Sequence, residues 1–219
     1  TFAPMQINKE TAKSVAECLL QIKAIELNKI QPFTWASGWK SPIYCDNRKT
    51  LSYPKVRTFI RQKYIETILD KFGQVDVIAG VATGGIAQAA LIAQELELPL
   101  IYVRSSSKGH GLQNLIEGVV ESGQRVVVIE DLISTGMSSL KAVDALREKG
   151  CNVVGMVAIF SYGFETADQN FKEYSCPLYT LGDYDSMIEV AAEEGYINNE
   201  DINSLKGWRK DPANWNVLV

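Results

Sequence analysis

The segment 125–137, with the sequence RVVVIEDLISTGM, constrains the fold of this 219-residue chain more than any other. Its β-branched run at 126–129 predicts a buried strand, and two adjacent acids, Glu130 and Asp131, follow that run. A turn that contains hydroxyl groups and a glycine then leads into a helical pattern at 138–149. The segment therefore predicts one strand–turn–helix unit of an α/β fold, with its polar residues at the carboxyl end of the strand.

The turn in this segment has the chemistry of a phosphate site. A helix N-terminus and free backbone N–H groups attract a phosphate dianion, and Ser134, Thr135 and Ser138 can add hydroxyl donors. Glu130 and Asp131 would repel that phosphate, so we expect them to accept hydrogen bonds from neutral hydroxyls, such as the 2′,3′-diol of a ribose. The pattern predicts a site for a ribose 5-phosphate. The alternative is an ordinary strand-to-helix connection in which two acids cap a buried strand.

Predicted strands and helices alternate along most of the chain, which is typical of a parallel sheet with helices on both faces. We expect one domain over residues 1–219, in which about 73–182 form the core sheet. About 1–50 and the C-terminal segment are expected to pack as a cap over one end of that sheet. The expected helices are 9–30, 54–72, 86–97 and 138–149, and the expected strands are 43–46, 75–79, 100–103, 126–129, 153–159 and 178–181.

Composition argues against several functional classes. The chain has 22 basic and 26 acidic residues, and a net charge of −4 does not favour binding of nucleic acid through a basic surface. No apolar run approaches the roughly 20 residues that span a membrane, and the first residues lack the pattern of a signal peptide. Four scattered cysteines without a CxxC pair favour reduced thiols in the cytoplasm over disulfides or a zinc site.

Two further loops are expected at the same edge of the sheet as the acids. Residues 80–85, GVATGG, contain three glycines that allow the backbone to approach an anion closely, although packing alone is an alternative explanation. Residues 104–118 contain Arg104, Lys108 and His110, which is the single histidine of the chain. Their charge and glycine content favour a mobile cationic lid that excludes water and stabilises a leaving anion, over a merely solvated loop.

These motifs resemble those of the type I phosphoribosyltransferases, which use phosphoribosyl pyrophosphate (PRPP). The acids and hydroxyl turn at 130–138 resemble the family's ribose-phosphate loop, and 80–85 stand where its pyrophosphate loop lies. The pattern VRxxxKxHG at 103–111 resembles the catalytic loop of the orotate phosphoribosyltransferases, and FTWASGWKSPIY at 33–44 resembles their N-terminal segment near the base. The resemblance covers residues 9–181 approximately and keeps the order of the motifs.

The resemblance implies a central parallel sheet flanked by helices, with a small N-terminal hood. It also implies a transferase that moves the 5-phosphoribosyl group of PRPP to N1 of orotate, which gives orotidine 5′-monophosphate and pyrophosphate in pyrimidine synthesis. A homodimer is implied, in which the lid loop 104–118 of one subunit covers the site of the other. The activity would depend on Mg²⁺, held mainly by oxygens of the substrate and by waters, since the sequence shows no Asp, Glu and His cluster with ligand spacing.

The resemblance also implies roles for individual residues. Ala36 stands where many relatives carry a lysine, and Tyr162 stands where some relatives carry an arginine that contacts orotate. The group that binds the carboxylate of orotate is therefore not identified, and Lys40 and Arg48 are the candidates. Ser134 and Lys40 are expected to contact orotate. The implied catalytic residues are Lys108, His110 and Asp131. The implied PRPP contacts are Arg104, Lys108, His110, Glu130, Asp131, Leu132, Ile133, Ser134, Thr135, Gly136, Met137, Ser138, Thr83 and Gly84.

Two other functions share part of this pattern. A purine or uracil phosphoribosyltransferase would have the same ribose-phosphate loop, but the lid motif with Lys108 and His110 and the segment 37–42 favour orotate. A non-catalytic regulator with the same fold would carry a DNA-binding appendage or a basic RNA-binding face, and this acidic sequence shows neither.

Overall fold

The computed structural model describes residues 8–28, 31–35, 38–105 and 115–215. None of the helices in these ranges is both long and apolar enough to cross a membrane. The helices are α1 Lys9–Gln21, α2 Pro54–Phe72, α3 Gly84–Leu96, α4 Met137–Glu148, α5 Glu165–Glu173, α6 Tyr184–Glu193 and α7 Asn199–Lys210, with a 3₁₀ helix at Asn47–Ser52. The strands are β1 Ile25–Leu27, β2 Phe33–Thr34, β3 Lys40–Ser41, β4 Ile43–Cys45, β5 Val77–Val81, β6 Leu100–Val103, β7 Ile116–Glu117, β8 Arg125–Ile133, β9 Asn152–Ser161 and β10 Leu178–Asp183.

Six strands form the central sheet, in the order β10-β9-β8-β5-β6-β7. Neighbouring strands run parallel, except that the edge strand β7 runs antiparallel to β6. Two short antiparallel pairs, β1 with β4 and β2 with β3, lie outside this sheet. The expected α/β fold with a mainly parallel sheet is therefore confirmed. Because β8 lies between β5 and β9, the turn that follows it opens at the carboxyl edge of the sheet, near its centre.

Strand β8 is apolar because helices cover both of its faces. Val127 and Ile129 belong to a core cluster that includes residues of α1, α2 and α3. Val126 and Val128 belong to the cluster on the other face, which includes residues of α4 and α5. All four side chains are fully buried, and each contributes about 1.5–3 kcal/mol through removal of apolar surface from water. The acids that follow are therefore attached to a strand held firmly from both sides.

The expected helix at 9–30 is wrong beyond Gln21, where α1 ends. Lys23 has a φ of +54°, which a continuing right-handed helix does not allow. The chain then forms β1, in which Ile25 pairs with Cys45 of β4. Ile25 and Leu27 are spaced by two, which is the period of a strand, so Leu27 was misassigned to the apolar face of a helix.

Several predicted boundaries also differ from the structure. Strand β8 does not end at Ile129 but continues to Ile133, because its backbone pairing with β9 does not require apolar side chains. Strand β5 starts two residues later than expected, since Asp76 lies in the preceding turn and its Oδ2 accepts a hydrogen bond from Arg125 N at 2.7 Å. Helices α5, α6 and α7 have no counterpart among the expected elements.

Residues from the two ends of the chain pack together beside the carboxyl edge of the sheet. Trp208 of α7 is fully buried, and its Nε1 donates a hydrogen bond to the Lys40 carbonyl at 3.0 Å. Its ring lies 5.4 Å from that of Trp35, between centroids. At the sheet itself, α1 packs against α6 and β10. The hairpin formed by β2 and β3 is thus held over the sheet by a helix near the other end of the chain.

Candidate active site

Two adjoining pockets lie at the carboxyl edge of the sheet. The first, which we call the polar cleft, has a volume of about 380 Å³ and is lined by ends of β5, β6 and β8. The second, which we call the aromatic pocket, has a volume of about 490 Å³ and is lined mainly by the β2–β3 region and Tyr162. Cys45 and Leu132 line both pockets. A ligand can therefore extend from one pocket into the other across these two side chains.

The two acids of β8 have different surroundings. Glu130 is 6% exposed, and both of its carboxyl oxygens accept hydrogen bonds, from Asp131 N at 2.9 Å and from Ser139 Oγ at 2.8 Å. Burial raises the pKa of Glu130 to about 8, and the negative charge of Asp131 adds to the shift. Asp131 is more exposed and lines the polar cleft. Asp131 is therefore the acid that a ligand in the cleft can reach.

Side chains from α2 and the 3₁₀ helix fix the backbone of this acid pair. The pairing of β8 with β5 ends at Ile129, opposite Gly80. Beyond that point, the Tyr64 hydroxyl donates to the Glu130 carbonyl, and Asn47 Nδ2 donates to the Asp131 carbonyl at 2.6 Å. The carbonyls of Glu130 and Asp131, which no longer pair with β5, therefore have side-chain partners. These bonds fix the backbone from which the two acids extend.

The glycines of the 80–85 loop let this loop pack closely against β8. A Cβ atom on Gly84 would overlap the Asp131 carboxylate, and one on Gly85 would overlap the Ile129 carbonyl. The peptide bond between Ala82 and Thr83 is cis. Thr83 and Gly84 line the polar cleft. The glycines thus allow the loop to pack against β8, and this packing places the loop backbone beside Asp131 at the cleft.

The hydroxyl turn and the start of α4 lie between the two pockets. Gly136 is the N-cap of α4 with a φ of +80°, and no side chain caps this helix. Its first-turn N–H groups therefore have no side-chain acceptor and remain available to an anion. The turn is anchored by Asn170, whose Nδ2 donates to the Thr135 carbonyl at 2.8 Å. Ser138 lines the polar cleft, whereas Ser134 and Thr135 line the aromatic pocket.

The neighbouring positions of this turn differ in exposure. Met137, the first residue of α4, is 39% exposed. Ile133 is fully buried in the core, so its side chain is not available to a ligand. Of the predicted PRPP contacts in this segment, Ile133 can therefore contribute only through its backbone.

The expected lid loop is closed at its base by a short hairpin. Val103 pairs with Ile116 across β6 and β7, so part of the expected loop 104–118 is an edge strand of the sheet. Arg104 lines the polar cleft, and its Nη1 lies 3.3 Å from Glu117 Oε1. Lys108 and His110 lie outside the described residues. The structure thus places Arg104 at the cleft and leaves the positions of the other two cations as predictions.

Neither candidate for binding the carboxylate of orotate lines the aromatic pocket itself, although Lys40 bonds to Thr34, which does. Lys40 Nζ donates to Thr34 Oγ1 at 2.8 Å, and Lys40 is not among the residues that line this pocket. Arg48 lines the polar cleft instead, and it is held by Asp46 through two hydrogen bonds of 2.7 and 3.0 Å. Arg48 is therefore placed near the acids, and Lys40 is placed on the hairpin.

Aromatic side chains form most of the second pocket, and the resemblance placed segment 33–44 near the base without assigning a contact to any of these side chains. They are Trp35, Trp39, Tyr44 and Tyr162. Trp35 is fixed by a hydrogen bond from Nε1 to the Ile43 carbonyl at 3.2 Å. The density of aromatic residues at 33–44 was a usable signal for a flat ligand. Tyr162 was connected to orotate only through the resemblance, because nothing local in the sequence connects it to that segment.

The described residues contain no group of three or more His, Cys, Asp or Glu side chains that could hold a metal ion. At the polar cleft, Glu130 uses both oxygens within the protein, and Asp46 is paired with Arg48. This donor set offers Asp131 as its accessible carboxylate, which fits a Mg²⁺ ion that is held chiefly by oxygens of a bound substrate.

The sequence matches known proteins over nearly its whole length. A family model for the phosphoribosyl transferase domain matches residues 50–193. The chain is 60% identical over 207 residues to a protein named orotate phosphoribosyltransferase from Phocaeicola vulgatus, an alignment that covers 94% of this chain and 98% of the relative. The chain belongs to the orotate phosphoribosyltransferase family.

Solved structures agree with this assignment. An orotate phosphoribosyltransferase from Aeropyrum pernix is similar with a TM-score of 0.74 and 29% identity, over 84% of this chain and 99% of that one. The UMP synthase of Leishmania donovani has a TM-score of 0.78 at 25% identity over 92% of this chain, which spans only 42% of that longer protein. The family assignment and the type I phosphoribosyltransferase fold expected from the sequence are both confirmed.

Proposed function

We propose that this chain transfers the 5-phosphoribosyl group of PRPP to N1 of orotate. The bond from ribose C1 to the pyrophosphate oxygen breaks, the bond from C1 to N1 forms, and the products are orotidine 5′-monophosphate and pyrophosphate. The observation that supports this most is the junction at Leu132 and Cys45, where the polar cleft meets the aromatic pocket. A sugar phosphate in the cleft would direct C1 toward a flat ring in the pocket.

The polar cleft suits PRPP. The first-turn N–H groups of α4, together with the turn at 134–138, would bind the 5-phosphate. Asp131 would accept hydrogen bonds from the ribose hydroxyls and stabilise the positive charge that develops on the sugar as pyrophosphate departs. Thr83, Gly84 and Arg104 would lie beside the pyrophosphate. Glu130 would keep Asp131 in position, since its carboxyl group accepts hydrogen bonds from both Asp131 N and Ser139 Oγ of α4.

The aromatic pocket suits a flat base. Rings of Trp35, Trp39 and Tyr44 offer surfaces on which a pyrimidine can stack, and the pocket lining is mostly apolar. Ser134 lies at the pocket edge nearest the phosphate turn and would contact the base there. Lys40 uses one of its three N–H donors on Thr34, which lines this pocket, so the other two would remain available for a contact with orotate.

Magnesium and the lid complete the proposed site. Mg²⁺ would enter with PRPP and neutralise charge on its diphosphate. Lys108 and His110 would reach the pyrophosphate from a loop of the neighbouring subunit in a homodimer, stabilise the leaving group and exclude water. The proposed location is the cytoplasm, as expected for an enzyme of pyrimidine synthesis with reduced cysteines.

A panel of free bases tests the proposed reaction. The protein is incubated with PRPP, Mg²⁺ and, in turn, orotate, uracil, adenine, guanine or hypoxanthine, and loss of each base is followed by absorbance. We expect consumption of orotate alone, with release of one pyrophosphate per base. Consumption of a purine or of uracil in preference to orotate would identify the alternative transferases, and consumption of none would favour a regulator.

Mixing two inactive variants tests the lid in trans. Lys108→Ala and Asp131→Asn proteins should each be nearly inactive, but a heterodimer would contain one site with an intact acid and an intact incoming lid. Random exchange makes about half of the dimers mixed, each with one good site of two, so about a quarter of the wild-type activity should return. If subunit exchange is verified by differently tagged chains and no activity returns, the lid serves its own subunit.

A further inference from the structure

The two peptide groups that flank the Cα atom of Asp131 are both held by side chains. In the first, the Tyr64 hydroxyl donates to the Glu130 carbonyl, and the Glu130 carboxyl accepts from Asp131 N at 2.9 Å. In the second, Asn47 Nδ2 donates to the Asp131 carbonyl at 2.6 Å. Because each peptide group is planar, the orientations of these two planes set φ and ψ of Asp131. The three bonds therefore fix the direction in which the Asp131 side chain leaves the backbone.

The residues that make these bonds are themselves buried and bonded. Tyr64 is fully buried, and Asn47 and Glu130 are nearly so. Asn47 Oδ1 accepts a hydrogen bond from Cys45 Sγ at 3.3 Å, which orients the amide. The Asn47 carbonyl accepts a second bond from Thr50 Oγ1 at 2.6 Å, which holds its backbone. The donor that reaches Asp131 is thus fixed at both its side chain and its main chain.

Thr50 extends this set of bonds to α3. Gln88 Nε2 donates to Thr50 Oγ1 at 3.1 Å, and both side chains are buried. Helix α3 begins at Gly84, which lines the polar cleft. Apolar groups of the same shape would fold about as well at such positions, since a pair of buried polar partners contributes little net stability. The buried polar residues instead connect Asp131 to the helix that starts at the cleft.

The proposed role of Asp131 requires a fixed carboxylate. A charge stabilises a transition state most when it is oriented beforehand, because no reorganisation is then needed during the reaction. Neither Tyr64 nor Asn47 lines the polar cleft or the aromatic pocket, so neither is placed to touch a substrate there. We propose that Tyr64 and Asn47 are positioning residues, which act on phosphoribosyl transfer through Asp131. This inference rests on the proposed function, since it concerns the acid of the same site.

The test removes one anchor and keeps its ring. Tyr64→Phe is compared with the wild type and with Tyr184→Phe as a matched control. Tyr184 is also fully buried, its hydroxyl donates to the Leu205 carbonyl at 3.1 Å, and it lines neither pocket. Asn47→Ala removes the second anchor, so the test stands even if one of the two variants does not fold. For each protein, we would measure kcat, KM for orotate, KM for PRPP and the melting temperature.

The two tyrosine variants should differ in turnover and not in stability. Each leaves one buried carbonyl without its side-chain donor, so both should lower the melting temperature by similar amounts. Tyr64→Phe should also lower kcat about 10-fold through misplacement of the acid. This loss is smaller than the roughly 100-fold fall expected for Asp131→Asn, since the carboxylate is retained. KM for orotate should stay at the wild-type value, and Asn47→Ala should behave as Tyr64→Phe does.

A double variant shows whether the anchors act through Asp131. In an Asp131→Asn background, Tyr64→Phe should lower kcat by less than about 2-fold, because the group that it positions is already changed. A full second loss in that background would overturn the proposal, as would an unchanged kcat in both Tyr64→Phe and Asn47→Ala. A wild type that consumes another base in place of orotate would refute the proposed function alone, and the same comparison would then use that base. Consumption of no base would refute both.

Discussion

The polar cleft and the aromatic pocket share a wall but are built in different ways. The cleft is lined mainly by segments that directly follow parallel strands, so its groups come together because strand ends meet at one edge of the sheet. The aromatic pocket combines Trp35, Trp39 and Tyr44 with the distant Tyr162, and Trp208 of α7 supports it. In the proposed function, sugar-phosphate binding therefore depends on backbone topology, whereas base recognition depends on side-chain packing across the chain.

The largest effect is expected from the backbone of the cleft. Gly136→Val should abolish PRPP binding, because a side chain at this φ of +80° is strained and its Cβ would overlap Phe171. Gly123→Val is the matched control, since Gly123 has a similar φ of +86° but no atom near the new Cβ. Calorimetry should detect no PRPP binding by folded Gly136→Val and normal binding by the control. Normal affinity in Gly136→Val would place the phosphate elsewhere.

The next effect distinguishes the two acids within the cleft. Asp131→Asn should lower turnover about 100-fold, a typical loss for one electrostatic contact in the transition state, with little change in melting temperature. Glu130→Gln should have a smaller effect on turnover, because Glu130 already uses both oxygens on Asp131 N and Ser139. Steady-state kinetics on both variants checks this order. Full activity in both would refute the binding of ribose hydroxyls by this pair.

A side-chain change in the aromatic pocket should affect the base alone. Trp39→Leu should raise KM for orotate roughly 10-fold through loss of a stacking surface, with KM for PRPP unchanged. Tyr196→Leu, which removes an exposed ring elsewhere, should change neither value. A parallel rise in both KM values for Trp39→Leu would mean that the two pockets are not separable in function.

The smallest effect is a pH dependence of stability at the cleft. The folded-state pKa of Glu130 is raised to about 8 from 4.5, so folding favours its protonated form. Its contribution to stability is complete below about pH 4.5 and is lost as pH rises through about 8. The melting temperature of Glu130→Gln should therefore fall less than that of the wild type between pH 5 and pH 8.5, when scanning calorimetry compares the two. If the melting temperatures of the two proteins fall by the same amount over this pH range, Glu130 is not a buried, protonated acid.

The same contrast explains what could be predicted from the sequence. The acids, the hydroxyl turn and the glycine loop are contiguous segments beside apolar runs, so their placement at one edge of a parallel sheet followed from local pattern. The end of β8 could not be predicted in this way, because Glu130 and Leu132 continue the ladder with Ala158 and Phe160 through backbone groups. Apolar periodicity does not report such pairing.

The aromatic pocket was harder to predict for a different physical reason. Tyr162 reaches the hairpin only because β9 is next to β8 in the sheet and α7 packs Trp208 against both regions. The end of α1 was mispredicted for a related reason. Leu27 fits the apolar spacing of a helix in isolation, and its pairing with Ile43 of β4 determines a strand. Non-local packing decided each of these outcomes.

The extension of β8 through its acids has a consequence for how the family can change over evolution. Glu130 pairs with Ala158 in the β8–β9 ladder, and Tyr64 and Asn47 bind the carbonyls of Glu130 and Asp131 where the β5 ladder has ended. A substitution that weakens the β8–β9 pairing would therefore reduce the amount of folded protein and the activity together. Folding therefore depends on the backbone pairing of these residues, whereas the proposed sugar binding depends on their side chains, within one short segment of the chain.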